Sequence, residues 1–438
     1  MDRVRRPFAV DPMKKYFALL LLIVGSLIRA QNFRGTAGPL TLESCYRLAL
    51  ARNESVALTE EEIAREEARY GLLRSGVLPD VGFLATDRFQ ETSGVSSGSN
   101  STFTRGDRPE AAFYARQPIF AGFREFAAMK GQKAEILASQ ESFFRSKILL
   151  YEDVARLFYM VTDRDREIES LQTLIKLSQD RIGELKKRVA IGRSREGEVL
   201  STESQTANLE SRLEAARGFR EASLEVLNTL LGVQATVLLD DQPEAAPPAP
   251  LDHYLSRLAQ RPDVQAAEAR RQARTHFTQS ARRRYWPTLD VAGNYYVKRV
   301  GFNEPIDWDV LFALDAPLFT GGETKSVLRQ AESEERASVL ALSETRRNAE
   351  REVRERHRNL LSLLAQIKKL RRSAELAERN YAVQQKEYRL GLVNNLDVLS
   401  ALNTWQESQV ALNTTLLAAK NVALRLDLSA GRPLHVNP

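Results

Sequence analysis

Apolar residues recur along this chain with two different periods. Val154, Val161, Ile168, Ile175, Ile182 and Val189 return every seven residues, and Leu150, Leu157, Leu171 and Leu185 fill most of the intervening positions. Such heptads, sustained this long, predict supercoiled helices packing knobs into holes. The helix they predict, from about Phe123 to Arg188, would be roughly 100 Å long at 1.5 Å per residue. A second stripe follows in Val353, Leu360, Ile367, Ala374, Tyr381 and Tyr388, smaller and more polar than the first. Elsewhere the period drops to two. Leu289, Val291, Gly293, Tyr295 and Val297 alternate with polar or small residues, as do Trp308, Val310, Phe312 and Leu314 after a turn near Asn303–Pro305. Val81, Phe83 and Ala85, then Phe113 and Ala115, give a weaker version. Alternation with aromatics on the apolar side suits tilted strands crossing an outer membrane.

The two stripes lie 199 residues apart, and so do three punctuation marks. Pro118-Ile119-Phe120-Ala121-Gly122 answers to Pro317-Leu318-Phe319-Thr320-Gly321. Ile191-Gly192 with Glu198 answers to Leu390-Gly391 with Asp397, and Leu231-Gly232 to Ala430-Gly431. Upstream the offset becomes 208, pairing Val56 with Val264 and Pro79 with Pro287, so GVSSGSNST (94–102) reads as an exposed loop of the first copy. An insertion inside a long helix throws every later side chain off its face, which explains why the offset holds. The chain therefore reads as an internal duplication. The first repeat spans 40–240, with a β-hairpin at about 79–120 and a helical tip near 192. A Pro/Ala-rich linker follows at 241–250. The second repeat spans 251–438, with a hairpin at about 287–319 and a tip near 391.

Composition narrows the picture. Of 438 residues, 27% are charged, while Gly (22) and Pro (16) are few, so turns are scarce and helix predominates. The apolar run Tyr16–Ile28, preceded by Lys14 and Lys15 and followed by Ala30–Gln31, reads as a secretory signal peptide over residues 1–30. That leader carries +4 of the chain's +6, and the remaining +2 gives no reason to expect nucleic acid as a partner. The lone Cys45, at helical spacing from Leu42 and Leu48, reads as a packing residue. His253, His276, His357 and His435 share no spacing and read as solvated surface, so neither metal nor cofactor is expected. Arg282-Arg283-Arg284, just before a predicted strand, reads as an interfacial belt. No nucleophile elbow, phosphate-cradling loop or acid pair appears, so no enzyme is expected. Four strands cannot close a barrel, and an open edge cannot sit in lipid. Chains must therefore combine their hairpins.

Duplicated helix–hairpin–helix units, the Pro-Ile/Leu-Phe-x-Gly strand exits and the Gly-x5-Asp/Glu turns together resemble the TolC-like outer-membrane efflux proteins. The resemblance runs from Leu40-Thr41-Leu42-Glu43 to Gly431. It implies a mainly α fold with β: a homotrimer with a twelve-stranded barrel in outer-membrane lipid, continued by an α-helical tunnel through the periplasm. It further implies a passive exit duct of a tripartite efflux or type I secretion system, docked on a periplasmic adaptor and an inner-membrane pump. By the same resemblance Asp397 lines the pore as a carboxylate ring, Tyr388 and Glu198 hold the gate shut, and Gly192, Gly391 and Leu392 form adaptor-docking tips. Two positions depart from the family pattern. Val393 stands where an Arg often ties the closed state, and Ser400 where a second pore Asp would stand. The competing readings are a periplasmic adaptor and a structural coiled-coil protein of the envelope. The first needs β domains for which no chain is left over, and the second leaves the alternating strands unexplained.

Overall fold

The computed structural model describes residues 40–89, 107–233, 245–300 and 303–431. The leader, the 94–102 loop, the first part of the linker and His435 lie outside them. The first repeat runs α1 (Leu42–Leu50), α2 (Glu54–Ser75), β1 (Asp80–Phe89), β2 (Asp107–Ala121), α3 (Arg124–Ala190) and α4 (Glu196–Leu231). The second runs α5 (Leu251–Leu255), α6 (Pro262–Arg282), β3 (Thr288–Lys298), β4 (Trp308–Asp315), α7 (Glu323–Leu390) and α8 (Asn395–Ser429). The 67 residues of α3 and 68 of α7 each extend about 100 Å.

Their heptads pack as the period requires. Val154 and Val161 are wholly buried in one core with Leu42, Tyr46, Leu227 and Leu231. Val353, Leu360 and Ile367 are buried in its second-repeat counterpart, against Leu426 and Tyr254. Towards the tips Leu171, Ile175 and Leu185 join Tyr381, Tyr388 and Leu402, so both repeats share one core there. Truncating a buried Leu of this kind to Ala typically costs about 2–5 kcal/mol. Helix α1 is capped by Thr41, whose hydroxyl accepts from the Ser44 amide, and it buries Leu42, Cys45, Tyr46 and Ala49. Burial pushes the Cys45 thiol up to about 12, consistent with a packing role.

The glycines at offset 199 all adopt positive φ: Gly122 and Gly321 (both 62°), Gly192 (71°) and Gly391 (75°), Gly232 (63°) and Gly431 (71°). Only glycine takes this conformation cheaply. At both tips the same bonds end the helix. The Gly192 and Gly391 amides donate to the carbonyls of Val189 and Tyr388, and those of Arg193 and Leu392 to Arg188 and Glu387. This is the glycine-ended turn that gives two of the terminal carbonyls at each tip a partner.

Both hairpins join one antiparallel sheet in the order β1-β2-β3-β4. Its register aligns Phe83 with Phe113, Phe113 with Tyr295, and Tyr295 with Trp308, an aromatic row across all four strands. All four rings are more than half exposed. The same face carries Val81, Ala115, Val291, Val297, Val310, Phe312 and Leu314. The opposite face is mixed, carrying Leu84 and Leu311 beside polar residues, and there Asn294 and Tyr296 both donate to Asp309. Among the described residues β1 and β4 each pair along one side only.

Two expectations about histidine change. Although His253 is exposed, the His357 ring is half-buried, its Nε2 lies 3.1 Å from the Ala249 carbonyl, and it packs against Tyr254. His276 is half-buried, with its Nδ1 inaccessible. His276 lies on α6 between α3 and α7, and His357 is covered by the segment around Ala249 and Tyr254, neither of which a search for metal spacing registers. The arginine run also has inward partners: Arg283 donates to the Phe123 carbonyl and Arg282 lies 3.7 Å from Glu332.

The helical tip as candidate gate

At the end of the helices far from the sheet, the α3–α4 and α7–α8 turns lie side by side. Helix α7 delivers Tyr388 two residues before its last, as the final member of its heptad stripe, so the ring is buried between repeats. Its hydroxyl donates to Glu198 Oε2 at 2.9 Å. Glu198 sits in the first turn of α4, where the helix dipole favours a carboxylate, and also accepts from the Ser194 hydroxyl at 2.7 Å. Burial, and then the acceptor carboxylate, push the Tyr388 hydroxyl above the ordinary tyrosine value. It is a neutral donor at physiological pH.

Two residues that the sequence did not single out complete the arrangement. Arg181 of α3, 5% exposed, lays its guanidinium over the Tyr388 ring at 3.7 Å from the centroid. Its Nε and Nη2 both donate to Asn395 Oδ1, at 3.1 and 3.0 Å, and its Nη1 donates to Glu184 at 3.2 Å. Asn395, 2% exposed at the start of α8, turns its amide to the Thr202 hydroxyl at 3.0 Å and to the Glu198 carbonyl. Burial presses the Arg181 guanidinium below its ordinary value, opposed by Tyr388 and Glu184. A cation buried this way needs partners, and here each of the three guanidinium nitrogens donates one bond. The network links α3, α4, α7 and α8 in one polar knot. A signal existed: Leu171, Leu174, Ser178, Arg181 and Leu185 form a second buried stripe at helical spacing, with Arg181 the odd member.

Asp397 stands apart from this knot. It is exposed, at the third position of α8, where its carboxylate accepts from the Asn394 amide while the Asn394 side chain accepts from the Asp397 amide. That reciprocal cap is the local structural reason for the residue, and it leaves the remaining carboxylate surface facing solvent. Val393 packs onto the shared tip core, so the cations near Tyr388 come from Arg181 and Arg188 of α3. Ser400 is exposed. Around Gly192 and Gly391 the tips present bare apolar side chains, with Ile191 66% and Leu392 and Leu396 70% exposed.

A four-stranded sheet with one apolar face, two duplicated helical hairpins and glycine-ended tips define an architecture that other proteins share. Residues 45–233 and 254–432 match the family model described as outer membrane efflux protein. The chain belongs to the outer membrane efflux protein family. It is 23% identical over 395 residues to the outer membrane protein OprJ of Pseudomonas aeruginosa, covering 86% of this chain and 81% of OprJ. It is also 23% identical over 390 residues to the alkaline protease secretion protein AprF of the same organism, covering 84% of this chain and 79% of AprF. Among solved structures, CusC superposes with a TM-score of 0.81 at 17% identity, covering 92% of this chain and 95% of CusC. VceC of Vibrio cholerae gives 0.77 at 19% identity, covering 89% and 96%. This outer membrane efflux protein is thus an outer-membrane channel for efflux or secretion, with a TolC-like fold whose helices form its periplasmic part.

Proposed function

We propose that three copies of this chain form one twelve-stranded barrel continued by a closed helical tunnel, a passive duct gated at its periplasmic tip. The observation that carries this reading is the sheet. It has one continuous apolar, aromatic face and two outer strands each paired along one side only, at the head of helices about 100 Å long. An isolated sheet of this kind could not sit in lipid, because its unpaired edge groups have no water to bind. Closing it head to tail removes both edges. Twelve strands leave a lumen wider than an eight-stranded barrel, whose side chains fill it.

In this reading the Tyr388–Glu198 bond and the Arg181–Asn395 bonds hold the two hairpins of each copy together, and the pore opens when they part. Three Asp397 carboxylates face the narrow passage and bind cations at close range. The bare apolar tips at Ile191, Gly192, Gly391 and Leu392 take a periplasmic adaptor, which in turn couples to an inner-membrane pump. The protein performs no chemistry of its own and holds no cofactor. Reconstitution into planar bilayers tests the reading. Discrete, long-lived conductance steps are expected, while a protein that never raises bilayer conductance would overturn it.

A further inference from the structure

Where the end of α8 meets the start of α6, a cleft of about 630 Å³ lies between α3, α6, α7 and α8. Ligand sites commonly have this size, roughly 300–1,000 Å³. Five arginines line it: Arg145 from α3, Arg261 just before α6, Arg351 and Arg356 from α7, and Arg425 from α8. Asp263, Glu352 and Glu355 line it too, and the buried Glu152 holds Arg356 and Arg425. Five arginines against four carboxylates leave one positive charge uncompensated.

Every carboxylate is already engaged. Arg261 donates Nε and Nη2 to the two oxygens of Asp263, at 3.0 and 2.7 Å, and Nη2 also to Glu352 at 2.9 Å. Arg356 pairs with Glu352 and donates to both oxygens of Glu152, while Arg351 donates to Glu355. Arg145 is left over. Its side chain is 19% exposed, and its nearest carboxylate oxygen is Asp263 Oδ2 at 3.9 Å, which already accepts from Arg261. Among the described residues this guanidinium makes no hydrogen bond, so a half-buried fork of five N–H donors stands unmet at the cleft. The Asn348 side chain, on the face of α7 that carries Glu352 and Glu355, lines the cleft and is likewise unbonded among the described residues. The seam itself does not require these arginines. In the first repeat Arg52 donates to the Gly232 carbonyl at the end of α4, as Arg261 does to that of Ser429 at the end of α8. Yet at offsets of 199 and 208 the places of Arg356, Arg425 and Arg261 are taken there by Leu157, Val226 and Asn53. The join alone therefore does not account for the cluster.

We propose that this cleft binds a small organic anion, its phosphate or carboxylate group held by the Arg145 fork and the Asn348 amide, with the rest of the molecule lying along α7 towards Arg425. A guanidinium presents paired N–H groups that match two oxygens of such a group. The bound charge offsets the surplus cation. All of the lining comes from one copy of the chain, so the inference does not depend on the shared barrel.

Calorimetric titration tests it, using the full protein extracted in detergent from the outer-membrane fraction, in buffer free of divalent cations. Sodium pyrophosphate and sodium citrate are the two probes. Saturable binding of one anion per chain is the expected result. Binding of pyrophosphate alone assigns the site to phosphate groups, binding of citrate alone to carboxylates, and binding of both to the charge they share. Arg145→Gln should weaken the binding roughly tenfold or more, the worth of one charge-assisted hydrogen bond. Asn348→Asp, at an exposed position whose side chain bonds to no described residue, sets a carboxylate in the cleft and should abolish binding. Each anion that binds should also raise the melting temperature of the unaltered protein and leave that of Asn348→Asp unmoved. Failure of both anions to bind the unaltered protein, or binding that either variant leaves unchanged, would overturn the site.

Discussion

Tyr388, from the second repeat, donates its phenolic hydrogen to Glu198 of the first at 2.9 Å, so one bond spans the two hairpins at the tip. A hydrogen bond to a charged acceptor contributes about 1.5–3 kcal/mol. If the tip works as a two-state gate, Tyr388→Phe should raise the open fraction roughly tenfold or more, since about 1.4 kcal/mol is a factor of ten. Single-channel recording reads this directly, and an unchanged open probability would remove Tyr388 from the gate.

Arg181 should matter at least as much. Asn395→Ala leaves the buried guanidinium without the acceptor of two of its bonds. An unmet buried polar group costs about 1–3 kcal/mol, more when charged. The variant should open the tip more than Asn394→Ala, whose main loss is one helix cap of about 1 kcal/mol. Equal conductance for the two variants would show that the knot does not hold the gate.

These residues mark where the sequence was legible and where it was not. The heptads from Val154 to Val189 and the alternation from Leu289 to Val297 dictated helix and strand because burial on one side follows the period of each element. The Tyr388–Glu198 pair was expected from the resemblance alone. Asn395 and Arg181 went unseen because a polar residue beside a heptad core reads as solvated. Only the neighbouring hairpin, which covers that flank, makes it interior. His357 was misread for the same reason: its cover is the Ala249 carbonyl, 108 residues away.

Asp397 combines a structural and an electrostatic role, and substitution can separate them. Asp397→Asn keeps an oxygen for the Asn394 amide while removing the charge. It should weaken block of the current by multivalent cations without lowering thermal stability by more than a fraction of a helix cap, itself about 1 kcal/mol. Undiminished block would place Asp397 away from the passage.

Acid should loosen the start of α6 from α7, within the second repeat, before alkali does. Burial raises Asp263 and Glu352, but hydrogen bonds and charge from Arg261, and for Glu352 also Arg356, hold both below the ordinary carboxylate values. A depressed carboxylate contributes stability that is present above its unfolded value and is lost as pH falls through the folded one. Thermal stability should therefore fall below about pH 4, and Asp263→Asn should flatten that fall. Tyr388 has the opposite sign: its raised value contributes below the unfolded value of 10.0 and is lost as pH rises through the folded one. A melting temperature that does not fall on acidification below about pH 4 would contradict the carboxylate assignment, and one whose decline between pH 7 and 9 disappears in Tyr388→Phe would contradict the tyrosine one.

Proline at Ile168, deep inside α3, removes a backbone donor and clashes with the preceding turn, at a cost of about 3 kcal/mol or more. It should abolish assembly, and a normal oligomer would contradict the continuous helix.

The most direct test of the shared barrel is the mass of the detergent-extracted particle from the outer-membrane fraction, by light scattering corrected for bound detergent. Three chains per particle is the predicted result. A single chain that stays soluble without detergent would mean that the aromatic face of the sheet never enters lipid, and would contradict the account.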